Sequence, residues 1–226
     1  MLAPAALAYV ALLSFPQVVF AHETTHGNFR VYSREPLDPS IPAILDGVEA
    51  KLAASGIADE TLEPRIFLVD SHRLYSLLSL YVGRGSFAKC YPALPTSNVF
   101  VNASDVARDL VFRDAPENRE RSLSGVLAHE VAHLLVRQKF GYLRNLTLPA
   151  WKQEGFAEYV AGGTLLDRDT GVRMWKQSPD DATGYRYFKY YMLVSHLLDI
   201  EKLSVDDLFT RDFDLPSLER EVLSGL

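Results

Sequence analysis

His129-Glu130-Val131-Ala132-His133 constrains this chain more than any other stretch, because its chemistry works only on a helix. Side chains at i and i+4 stand one above the other on an α-helix. Two imidazoles can therefore approach one ion while Glu130, turned aside, reaches a water held by that ion. This is the HExxH arrangement of a zinc hydrolase, with two ligands and a carboxylate as general base. The flanking residues suit a helix from about residue 119 to 139. Leu123, Val126, Leu127, Val131, Leu134 and Leu135 form its apolar side, and Gly141 supplies a C-terminal stop.

A catalytic zinc needs a third protein ligand besides the water. A metzincin would place Gly and His three and six residues after His133, but Val136 and Lys139 stand there, which excludes that class. The segment Trp151-Lys152-Gln153-Glu154-Gly155-Phe156-Ala157-Glu158-Tyr159 reads as a second helix, opened near Pro149 and stopped at Gly162-Gly163. Glu154 and Glu158 share one face of it. Gly155 and Ala157 keep that helix slim where two helices converge on an ion. Asp167, in Gly163-Thr164-Leu165-Leu166-Asp167, is an alternative third ligand, one residue late for the Gly-Thr-x-Asp of the aspzincins. His72 and His196 read as ordinary core or surface histidines.

HExxH followed at this separation by Trp-x-x-Glu-Gly-Phe-Ala-Glu-Tyr resembles the gluzincins, the clan of thermolysin and aminopeptidase N. The likeness spans roughly residues 64–208 and is close at the two motifs. It implies an α+β, zincin-like fold, with a small strand-containing N-terminal lobe and a helical C-terminal lobe around a zinc cleft. It implies one Zn2+ held by His129, His133 and Glu154, with Glu158 holding His129 and Glu130 as the base. A tyrosine opening a later helix would stabilise the oxyanion: Tyr187, at the expected spacing from Leu197, or else Tyr185. Asn98, Val99, Phe100 and Val101 would form an edge strand that pairs with extended substrate, the alternative being a buried interior strand. No Gly-x-Met-Glu-Asn segment is present, so the likeness points to an endopeptidase acting on peptide or protein substrates. The alternatives are a non-catalytic zinc-binding or interaction protein that keeps the fold, and a hydrolase of other amides or cell-wall peptides.

Composition narrows the setting. With 226 residues, 48% hydrophobic and 23% charged, the chain suits one globular domain over 22–226. A net charge of -6 without a Lys/Arg run excludes the electrostatic footprint of a nucleic-acid binder. One cysteine, Cys90, excludes an internal disulfide or a multi-cysteine zinc site. Residues 2–21 carry no charge and read as a signal peptide, with Val19-Phe20-Ala21 at the cleavage offsets, or as an N-terminal membrane anchor. The protein is accordingly expected to be exported, or else membrane-associated through that segment. Elsewhere the pattern predicts an extended entry at 22–39, helices at 41–55 and 72–81, and strands at 65–70 and 98–102. A loop is expected at 83–97, and helices again at 185–198 and after Pro216.

Overall fold

The computed structural model describes residues 2–80, 85–91, 94–115, 120–179 and 185–226, with the backbone alone for 2–5. Parts of the expected loop at 83–97, the end of the helix expected to reach residue 81, and residue 119, the expected start of the motif helix, lie outside the described residues.

The N-terminal half is organised by a five-stranded sheet. After helix α1 (Leu2–Ser14), strands β1 (His22–His26) and β2 (Phe29–Ser33) form a hairpin at Gly27-Asn28, where Gly27 takes φ +53°. A two-residue turn of this composition suits a tight hairpin. The sequence reads there as an extended entry because β1, His-Glu-Thr-Thr-His, has no apolar face. Next come α2 (Ile41–Ala54), β3 (Arg65–Leu68), α3 (His72–Leu78), β4 (Ala88–Cys90) and β5 (Asn98–Val101). The strand order is β1-β2-β3-β5-β4, with β2, β3 and β5 parallel and an antiparallel strand at each edge.

Side chains alternate across β5. Val99 and Val101 join the larger core with Leu45, Val48 and Ile66, whereas Phe100 turns to the opposite face and stacks on Phe67, which in turn stacks on Tyr32. Helix α1 covers this aromatic face with Leu13. Asn98 Nδ2 donates to the carbonyls of Leu13 (2.8 Å) and Ser14 (3.2 Å), satisfying groups that a helix C-terminus leaves open. The expected substrate-pairing edge at Asn98, Val99, Phe100 and Val101 is therefore corrected. Asn98 anchors α1, the other three are fully buried, and β5 has a neighbour on each side. A strand apolar on both faces is the mark of an interior parallel strand, covered on both sides. No helix among the described residues is long and apolar enough to cross a membrane.

A small antiparallel sheet of β6 (Ser104–Asp105), β7 (Leu110–Phe112) and β8 (Glu120–Ser122) leads into the motif helix, α4 (Leu123–Phe140). That helix starts with the first residue of its apolar side, Leu123, rather than near residue 119, because Ser122 caps it, Oγ accepting the Gly125 N–H at 3.0 Å. It stops at Gly141, with φ +85°. The remaining helices are α5 (Tyr142–Thr147), α6 (Ala150–Ala161), α7 (Arg168–Gln177), α8 (Arg186–Ser195), α9 (Val205–Thr210) and α10 (Leu215–Ser224), with a π-helical turn at His196–Ile200 after α8. The architecture is mixed α+β. Helix α4 packs on α2, β4, β5 and α6, α2 also meets α6, and α6 packs on α8.

Gly155 does not serve the side of α6 suggested by its sequence context. A Cβ there would clash with the Tyr190 carbonyl and the Val194 side chain, both on α8. The glycine thus sets the approach of α6 to α8. Gly155→Ala is expected to overpack this contact and lower stability by about 2 kcal/mol, read as a lower denaturant midpoint. An unchanged midpoint would show that the helices do not meet so closely.

Candidate metal centre

Helix α4 presents His129 and His133 one turn apart, with their Nε2 atoms 3.2 Å from each other and the rings inclined at 79°. Helix α6 brings Glu154 against them, its Oε2 3.5 Å from His129 Nε2 and 3.7 Å from His133 Nε2. Donors on a tetrahedral ion with bonds of about 2.0–2.1 Å lie about 3.3–3.4 Å apart. The three donors fit a metal ion on both chemistry and spacing. Burial disfavours a charged His129, but Glu154 and Glu158 outweigh it and raise its pKa to about 10. Burial likewise opposes ionisation of Glu154, and the two imidazoles overcome it, holding the carboxyl well below the usual range.

Glu158 lies one helical turn beyond Glu154, only 3% exposed, with Oε1 3.4 Å from His129 Nδ1. That is an electrostatic contact just outside hydrogen-bond geometry, and His129 Nδ1 is buried without a hydrogen bond. Arg121, on β8, grips Glu158 with both arms: Nη1 donates to Oε1 at 3.0 Å and Nη2 to Oε2 at 2.5 Å. Nη2 also donates to the Gly163 carbonyl at 2.7 Å. Burial raises the Glu158 pKa, but His129 and Arg121 more than compensate, and it falls below its ordinary value. Sequence reading missed Arg121 because it sits in a charged approach to α4 that resembles a solvated stretch.

Glu130 is 9% exposed and lies beside the histidines without joining the three donors. Its Oε2 accepts the backbone N–H of Cys90 at 2.8 Å. Cys90 belongs to β4, so the sheet's edge strand at the site is β4 rather than β5. Backbone groups alternate sides along a strand. Since Phe87 O accepts from Asn102 N on the β5 side, Ala88 and Cys90 turn their backbone groups away from β5. The Cys90 thiol is buried, which pushes its pKa well up, with the Glu130 charge adding to the effect.

A cleft of about 460 Å³ joins these parts, with His129, Glu130, Glu154, Arg113, Lys89 and Tyr187 in its wall. Tyr187, in the first turn of α8, is 44% exposed, and its pKa is raised by burial and then by the Glu154 charge. Tyr185 is placed elsewhere. It is buried in the core and its hydroxyl donates to the Ser178 carbonyl, so it does not line the cleft. Asp167 caps α7 by accepting the Thr170 N–H at 2.9 Å, outside the three-donor cluster. His72 Nδ1 pairs with Asn102 Oδ1 at 2.7 Å.

Compared with known proteins, the chain matches no family model and no curated sequence.

Proposed function

We propose that the chain is a gluzincin-like zinc endopeptidase with a zincin-like fold. The observation that carries this reading is the meeting of His129, His133 and Glu154 at tetrahedral donor spacing, with Glu130 beside them but outside the donor set. A bound zinc would supply Lewis acidity, polarising a carbonyl and acidifying a water. Glu130 takes the proton of the attacking water and passes it to the leaving amine. The Cys90 N–H holds Glu130 Oε2, which leaves Oε1 to carry that proton. Tyr187 stays neutral at working pH and donates its hydroxyl proton toward the oxyanion. Arg121 and Glu158 keep His129 oriented. The outward backbone groups of Ala88 and the Cys90 carbonyl suit antiparallel pairing with an extended peptide. Export, or attachment through residues 2–21, remains part of the proposal.

Tyr187→Phe is expected to lower kcat by about 10²-fold with zinc content unchanged, while Tyr185→Phe changes stability but leaves kcat near that of the parent. Equal effects on kcat would reject Tyr187 as the oxyanion donor. The reading as a whole is tested by digesting a proteome-derived peptide library with the zinc-loaded chain. Internal cleavage supports an endopeptidase. Zinc binding with no cleavage across the library would favour a non-catalytic zinc protein, and cleavage only of cell-wall peptides or other amides would redirect the substrate class.

A further inference from the structure

Away from the cleft, His196 is not the satisfied histidine its sequence context suggests. Its Nε2 is buried and makes no hydrogen bond. It faces Glu201 Oε1 at 3.3 Å and Glu221 Oε1 at 3.5 Å. These two separations are close to those at the first centre and to the roughly 3.3–3.4 Å edge of a tetrahedral ion site, and all three donors lie within 4.8 Å of one another.

The backbone explains the convergence. Residues five apart on an α-helix point about 140° away from each other. At His196–Ile200 the chain instead makes a π-helical turn, closed by Glu201 N–H to His196 O at 3.0 Å, and the wider turn brings residues 196 and 201 to one side. Such turns recur at functional sites. Helix α10 then delivers Glu221 from a separate element. The His196 side chain is 18% exposed with its Nε2 buried, whereas Glu201 and Glu221 are 37% and 62% exposed, which leaves an approach for an ion and its remaining water ligands.

We propose that His196, Glu201 and Glu221 form a second site for a divalent cation with one nitrogen and two carboxylate donors, tying the C-terminal helix α10 to the end of α8. This inference is independent of the peptidase reading. The cation is structural, since the three donors are not part of the cleft.

The test is zinc content of the full chain after chelation, reloading with Zn2+ alone and removal of excess metal. The parent is expected to hold two equivalents, Glu221→Gln one, His133→Ala one, and the double variant none. Glu201→Gln should repeat the Glu221→Gln result. Zinc should raise the melting temperature less in Glu221→Gln than in the parent. One equivalent in the parent that survives Glu221→Gln and disappears in His133→Ala would overturn the second site and leave the first standing. One equivalent that survives His133→Ala and disappears in Glu221→Gln would support the second site and remove the metal from the cleft. Two equivalents retained in both Glu221→Gln and Glu201→Gln would also overturn the proposal.

Discussion

Glu130→Gln is expected to keep its metal and lose its turnover, with kcat for peptide hydrolysis falling by about 10²–10⁴-fold. Glutamine has nearly the same shape, and its carbonyl oxygen can still accept the Cys90 N–H that Glu130 Oε2 accepts at 2.8 Å. The contact between α4 and the edge strand therefore survives. The three metal donors, His129, His133 and Glu154, are untouched. What disappears is a group able to take a proton, so the loss should fall on kcat and leave zinc content and melting temperature close to the parent's. Full activity in a metal-replete Glu130→Gln protein would remove Glu130 from the mechanism.

Arg121→Leu is expected to be the most damaging substitution outside the donor set. The guanidinium makes a two-armed pair with Glu158, and both side chains are largely removed from solvent, 15% and 4% exposed. Removing one member of a buried pair leaves the other charge uncompensated, a cost of about 3–5 kcal/mol. The freed Glu158 can also turn away from His129 Nδ1, and losing such a support weakens metal affinity by about 10–100-fold. The two effects separate in a double variant. Arg121→Leu/Glu158→Leu should regain much of the stability, because no buried charge is left alone, but not the zinc affinity, because nothing then holds His129. Chemical denaturation and competition with a chelating dye measure the two quantities. If the double variant recovers both, Glu158 acts only as Arg121's partner and not as a support for the centre.

The candidate centre was unusually legible in the sequence because its three donors and base lie on two helices whose periodicity is local. Residues at i and i+4 of one helix are neighbours wherever that helix packs, so His129 and His133 needed no tertiary information. Glu154 and Glu158 followed the same rule once a second helix was recognised. The parts that escaped depend on long-range pairing. The apolar run of β5 is compatible with an interior strand, but nothing local marks β4, only three residues long, as the edge, because that depends on which strands lie beside it. Arg121 gains its role only when the β8–α4 junction meets α6. The apolar N-terminal segment reads as a leader from composition alone, yet in the fold its first helix covers the aromatic face of the sheet, with Leu13 as the buried contact. Helix α7 buries only Gly171 and Trp175, too small an apolar stripe to mark it in advance. The π-helical turn after α8 has the same composition as an ordinary helix end, so the meeting of His196 with Glu201 and Glu221 had no sequence signal.

Peptidase activity that depends on zinc held by His129, His133 and Glu154 can be read in one titration. The purified full chain is stripped with a chelator, and zinc binding and cleavage of a reporter peptide are followed together as zinc is added back, with His133→Ala run alongside. The expected result is no cleavage in the stripped protein, a rate that rises with occupancy of the cleft site and then levels, and no recovery in His133→Ala at any zinc concentration. Cleavage that persists in the stripped chain, or that His133→Ala regains in full, would contradict it.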